Sequence, residues 1–182
     1  MGKIRRTSVI VLGLMLIGAL TAGTALGGGV VASATGGGGY ALLGTLPASF
    51  SFNAIAHANG STMGRFFHSV ELGGQLIEFE GRVTCLAVDA QNHRAWIGGV
   101  VTKNNSEHPA FLTERHEVGD DIWFRVLDNG EGANALPDRS TFVGFEGDAG
   151  FITSEAYCDG QPWPDNDDRT WPLNFGNLQV HD

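Results

Sequence analysis

From residue 49 onward the chain alternates between apolar and polar positions. Phe50, Phe52, Ala54 and Ala56 fall on one side of an extended backbone and Ser51, Asn53 and Ile55 on the other, the two-residue period of a half-buried strand over 49–57. Asn59-Gly60 follows, a pair that tolerates the positive φ of a tight hairpin turn. Residues 62–70, carrying Met63, Phe66, Phe67 and Val70, read as the returning strand, and Gly73-Gly74 as the next turn. Over 75–89 the pattern sets Ile77, Phe79, Gly81, Val83 and Cys85 against Leu76, Glu78, Glu80, Arg82 and Thr84, until Leu86 and Val88 make the second face apolar too. A glycine at 81, in mid-strand, implies a bulge or a bend. Residues 94–102 return as a strand with Trp96, Ile97, Val100 and Val101 around Gly98-Gly99.

The periodicity then weakens. Residues 103–119 form a surface loop with two histidines and three glutamates. A strand over 121–127 sets Ile122, Phe124 and Val126 against Trp123, Arg125 and Leu127. Two short apolar segments, 141–146 and 150–157, flank Gly147-Asp148 and suggest another hairpin; 177–181 offers a last strand. Seven or eight short strands, glycine punctuation and no long amphipathic stretch predict an all-β class, a single antiparallel domain built as a sandwich or a barrel. Alternation does not separate those two, but glycine bends at Gly81 and Gly98-Gly99 favour the barrel.

The amino-terminal third changes the picture. Lys3, Arg5 and Arg6 precede an uncharged apolar run, Val9 to Ala25, which gives way to small residues ending in Ala32-Ser33-Ala34. A basic region, an apolar core and an A-x-A-like exit predict a secretory signal peptide over 1–34, cut after Ala34 or alternatively after Ala25, with retention as a membrane anchor the competing outcome. Residues 35–45, rich in glycine, are expected to be a flexible lead-in to a single β domain over 46–182. The leader holds three of the eleven basic residues and none of the twenty acidic ones, so the exported chain keeps eight bases against twenty acids, a formal charge of −12. Such a body repels phosphate backbones and anionic lipid surfaces, which argues against nucleic acid and, after cleavage, against the membrane as partners. A small molecule, a sugar or a cation is the better match.

Cys85 and Cys158 are the two cysteines, and in an oxidising compartment they are expected to pair. The stretch Trp96 to Thr102 and the stretch Phe124 to Asn134 with Pro137-Asp138 resemble strings in a set of exported bacterial proteins to which no activity is attached. That resemblance spans 50–138 and implies a bacterial source and export, with no site residue to carry over. Within it, Asp128, Asn129, Glu131, Asn134 and Asp138 place five oxygen-bearing side chains in eleven residues. A mixture of carboxylates and amides of this kind suits a hard cation such as calcium, although Asp and Asn also build Asx-turns in glycine-rich loops. No other cofactor is indicated. Trp163 and Trp171, each followed by proline, could form an aromatic platform for a sugar or a cationic ligand.

Catalytic signatures are sparse. His116-Glu117 lacks the second histidine of a zinc-protease helix, and the nucleophile-elbow and phosphate-loop motifs do not occur. Two functions remain in play. The first is a secreted or cell-surface β domain that binds or scaffolds without catalysis. The second is a small hydrolase or isomerase in which His57, His68, Glu78 or Glu80 converge in the mouth of a barrel.

Overall fold

The computed structural model describes residues 28–182 apart from 113–115, 133, 145 and 147–149. Eight strands follow one another as antiparallel neighbours: β1 (Val30–Leu42), β2 (Leu46–His57), β3 (Thr62–Leu72), β4 (Gln75–Asp89), β5 (Arg94–Asn104), β6 (Asp121–Leu127), β7 (Arg139–Ser140) and β8 (Trp171–His181). The ladder from β1 to β8 closes on itself, Ala34 opposite Val180 and Gly38 opposite Gly176, so the sheet is a closed barrel. Closure removes the unpaired edges that an open sheet would present to other chains.

The alternating apolar positions face inward and fill the barrel. Phe50 and Phe52 of β2, Phe66 of β3, Ile77 and Phe79 of β4, Ile97 of β5, Phe124 of β6 and Leu178 of β8 belong to one continuous buried cluster. The turn at Gly73-Gly74 reads as expected, with φ of 61° and 81° at its two central residues.

Three expectations are corrected. Residues 35–42 are not a flexible lead-in: they belong to β1, paired with β2 on one side and β8 on the other. A Cβ on Gly36, Gly37 or Gly38 would lie 2.3, 2.7 or 2.2 Å from a carbonyl oxygen of a neighbouring strand. The glycines are there because β1 is squeezed between two backbones, and ladder hydrogen bonds on both sides outweigh their entropy. A cut after Ala34 would therefore divide β1, whereas a cut after Ala25 leaves the strand whole. Second, 150–157 does not form a hairpin strand, because 154–160 is a helix, α1 (Ser154–Gly160), capped by Thr153, whose Oγ1 accepts from the Ala156 N–H at 3.1 Å. Seven residues are too few to print a helical period on the sequence. Third, β8 begins at Trp171, well before 177.

The connection that carries α1 crosses the outside of the barrel over β4, β5 and β6, and four devices hold it there. Cys158 of α1 is joined to Cys85 of β4. A bulge between Val83 and Cys85 lets Val83 face the core while Thr84 and Cys85 both meet α1, Thr84 Oγ1 lying 2.9 Å from Ser154 Oγ. Gly98 of β5 leaves the room this requires, since a Cβ there would sit 2.6 Å from the Cys85 sulfur. Trp96 and Trp123, fully or nearly buried, pack with Tyr157 in a second cluster, the Trp123 and Tyr157 rings stacked at 5.4 Å.

The fourth device is ionic. Arg125, on the outward side of β6, is 1 % exposed and pairs through Nη2 with Glu146 Oε1 at 3.0 Å. Its Nη1 donates to the carbonyls of Trp163 and Asn166 at 2.5 and 2.8 Å. Tyr157 donates its hydroxyl to Glu146 Oε2 at 2.5 Å. Burial pushes the Glu146 carboxyl above its ordinary range, against the pull of Arg125 and Tyr157. At the edge of the segment Asp167 pairs with Arg94 at 2.6 Å.

Reducing the bridge frees α1 from β4 and opens a loop of 73 residues in the unfolded chain. The expected loss is roughly 2–4 kcal/mol, read as a lower unfolding midpoint in denaturant with reductant. An unchanged midpoint would show that the two sulfurs are not joined in solution.

Candidate functional site

Outward-facing positions on β2 to β5 are brought together by strand register. One cross-strand row runs Ser51, Phe67, Glu80, Lys103; the next runs Asn53, Arg65, Arg82, Val100. Between and around them lies a groove of about 600 Å³ on the outer wall, lined by Ser51, Asn53, Arg65, Phe67, Arg82 and Thr102 among others. A second depression of about 410 Å³ continues it past Arg65 and Arg82 toward Ile55 and Met63.

The wall dips here because glycine lines the inner side of the bend. A Cβ on Gly81 would fall 1.9 Å from the Phe66 ring, and one on Gly64 would fall 1.8 Å from the Asn53 carbonyl oxygen, so both strands come closer than a side chain allows. A register shift at Glu80/Gly81 turns β5 so that consecutive residues Thr102 and Lys103 are both exposed.

Within the groove, Lys103 Nζ is paired with Glu80 Oε1 at 2.8 Å, with both side chains about half exposed. Asn53 Oδ1 accepts the Arg65 N–H at 3.2 Å. Arg65 and Arg82 stand directly opposite one another, and among the described residues neither guanidinium is ion-paired. This arginine pair escaped sequence reasoning. Arg82 was legible as an outward position, but its opposition to Arg65 depends on pairing between two strands.

The oxygen-rich loop after β6 is an architectural clamp. Asp128 Oδ2 accepts the Val180 N–H at 3.1 Å and Asp138 Oδ2 the Leu178 N–H at 2.7 Å, so two carboxylates reach across to the backbone of β8. The other oxygens of the pair accept from the Gly130 and Asn129 N–H groups within the loop. Glu131 accepts from Asn177 at 2.7 Å, Asn129 donates to the Pro137 carbonyl, and Asn134 is exposed on the rim. With β7 only two residues long, these side chains complete the closure that a longer strand would make. Burial pushes the Asp138 carboxyl up, its two backbone donors pulling the other way. Among the described residues no three histidine, cysteine or acidic side chains are grouped as a metal site.

The aromatic platform does not assemble. Trp171 stacks on Tyr40 at 6.1 Å and packs against the core, whereas the Trp163 ring lies 3.9 Å under the Arg169 guanidinium. Each ring already has a partner on a different side of the wall.

Nor do the candidate acid–base groups converge. His68 faces the interior and is fully buried, packed against Phe50, Phe66, Phe124 and Phe142 with ring centroids 4.6–6.3 Å away. Among the described residues neither of its nitrogens has a hydrogen-bond partner, and burial pushes its pKa down to about 3. Glu78 and Glu80 point outward, to Asn105 and Lys103, and His57 meets the Gly28 carbonyl at the end of β2. A further depression of about 400 Å³ collects His116, Asp120 and Asp121 at the start of β6. There Asp121 accepts from the Ser154 N–H at 2.9 Å and Asp120 from the Glu117 N–H at 2.8 Å, which commits both carboxylates to local structure.

No protein-family model matches the chain, and neither curated proteins nor solved structures include one similar to it at a meaningful level.

Proposed function

We propose that this chain is an exported β-barrel that works by binding on its outer wall and not by catalysis in its interior. The observation that carries the reading is the interior itself: a continuous apolar cluster lines it, and His68, fully buried there, is packed against the rings of Phe50, Phe66, Phe124 and Phe142. Polar groups that could meet a ligand lie on the other side of the sheet, above all in the groove over β2 to β5. The basic, apolar and small-residue parts of the leader support export, as does a disulfide that would be reduced in most cytosols. Among the described residues no helix is long and apolar enough to cross a membrane.

The test is to map ligands on the protein begun at Leu26, following amide chemical shifts with an acidic oligosaccharide, a neutral oligosaccharide and a small apolar probe in turn. Shifts at Ser51, Asn53, Arg65, Arg82 and Thr102 are the expected result. Shifts confined to Tyr40, His68 and Phe124 inside the barrel, or turnover of a probe, would replace this reading with the enzymatic one.

A further inference from the structure

We infer that Arg65 and Arg82 form an oxyanion site on the outer wall, built for a saccharide chain that carries carboxylate, sulfate or phosphate groups. This inference rests on the outer wall being the binding face, and it adds the chemistry of the ligand.

The first argument is the cost of the arrangement. Arg65 and Arg82 are cross-strand partners on an exposed face, and like charges placed directly opposite one another destabilise a sheet. Among the described residues no carboxylate is ion-paired with either arginine. The three ion pairs among the described residues take Arg94, Lys103 and Arg125, and the one carboxylate lining the groove, Glu80, is held by Lys103. With that pair balanced, the groove carries two uncompensated positive charges on a chain whose formal charge is −9. An island of positive potential in an acidic protein attracts anions to that one place and repels them elsewhere.

The second argument is shape and chemistry. Guanidinium groups present planar forks of N–H donors that match planar or tetrahedral oxyanions in bidentate fashion. Around the arginines stand Ser51 and Asn53, whose Oδ1 is taken by the Arg65 N–H so that its Nδ2 faces outward as a donor, and Thr102, whose hydroxyl donates to the Glu80 carbonyl at 3.2 Å and so offers lone pairs to a sugar hydroxyl. The half-buried Phe67 ring borders the same groove and offers an apolar face to the C–H side of a sugar. A volume of about 600 Å³ falls within the range of small-ligand sites, and the groove runs on past Arg82, so a chain can lie along it. Donors, apolar ring and paired charge together suit an acidic sugar polymer better than a bare ion.

Calorimetric titration of the disulfide-intact protein begun at Leu26 tests this, with trigalacturonate, a sulfated disaccharide and glucose phosphate as probes and galactotriose as the neutral control. At least one anionic probe is expected to bind with an affinity that falls as salt is raised, and galactotriose is expected not to bind. R65Q/R82Q should weaken that binding by roughly tenfold or more, and R65K/R82K by a smaller factor, since lysine keeps the charge and loses the fork. Both arginines are exposed, so the glutamine variant should melt at the same temperature or higher, which separates lost binding from lost fold. Equal binding of galactotriose on the wall would overturn the oxyanion site while leaving the outer-wall reading intact. Full affinity in R65Q/R82Q would do the same. Binding to anionic vesicles with no response to any of these sugars would overturn the saccharide assignment, and silence of the wall toward every probe would remove both proposals.

Discussion

Arg125→Met is expected to cost the fold roughly 3–5 kcal/mol, the range for breaking a buried ion pair from one side. Methionine keeps much of the arginine stem, so little packing is lost. What changes is that Glu146, with no exposed surface, loses the guanidinium it is paired with, while the Tyr157 hydroxyl still donates to it and the Arg169 charge still acts on it. The carbonyls of Trp163 and Asn166 lose their donor as well. The 141–170 connection should loosen from β6, and hydrogen exchange there should rise before exchange in β2 or β3. The apolar double variant R125M/E146L should recover part of the loss, because it removes the stranded charge along with its partner. Denaturant midpoints decide the matter. If R125M costs under about 1 kcal/mol, or if the double variant costs the sum of the singles, the buried pair is not the hub described here.

The second large effect is acid sensitivity set by His68. Its folded pKa is pushed down to about 3 from an ordinary value of 6.5, so the folded protein holds it neutral where the unfolded chain would take up a proton. Below pH 6.5 the unfolded state therefore binds more protons, and stability falls as the pH drops toward 3, by about 1.4 kcal/mol per pH unit. By pH 5 that amounts to roughly 2 kcal/mol. Glu146 and Asp138 act in the opposite sense: their raised folded pKa values mean the folded protein gains protons first, which adds stability as pH falls through them. Comparing wild type with His68→Phe isolates the histidine from those two. The phenylalanine joins four others, removes two unpartnered nitrogens, and should raise stability by about 1–2 kcal/mol at neutral pH and by about 2 more at pH 5. Parallel stability profiles for the two proteins between pH 7 and 5 would show that His68 is not buried neutral.

Much of the barrel can be read directly from residue order. Phe50 and Phe52, Ile77 and Phe79, Ile122 and Phe124 alternate because a sheet with one buried face demands a period of two, and all six line the core. Gly81 and Gly98 are legible in the sequence as bends or bulges, but not as places where a neighbour leaves no room for a side chain. Phe66 fills the space in one case and the disulfide with α1 in the other. The glycine run in β1 misled for the same reason: composition reports what a residue permits, and only the backbones on either side show that permission being used for close approach.

The oxygen-rich loop and the tryptophan pair show the limit more sharply. Asp128 and Asp138 carry the right atoms for a cation, and in the fold one oxygen of each accepts an N–H of β8, some forty to fifty residues away in the chain, and the other an N–H of the loop itself. Trp163 and Trp171 are close in sequence and take different partners.

Local alternation, turn chemistry and the leader are properties of short windows, and so the strands and hairpins from β2 to β5, the strand β6 and the expectation of export follow from residue order, while the pairing of Cys85 with Cys158 follows from their being the two cysteines of the chain. Closure through β1 and β8, the helix strapped outside the wall, the neutral histidine inside it and the facing of Arg65 by Arg82 all depend on which distant residues become neighbours. Such contacts are set by the sum of many weak long-range interactions, and no window of sequence contains both members of any one of them.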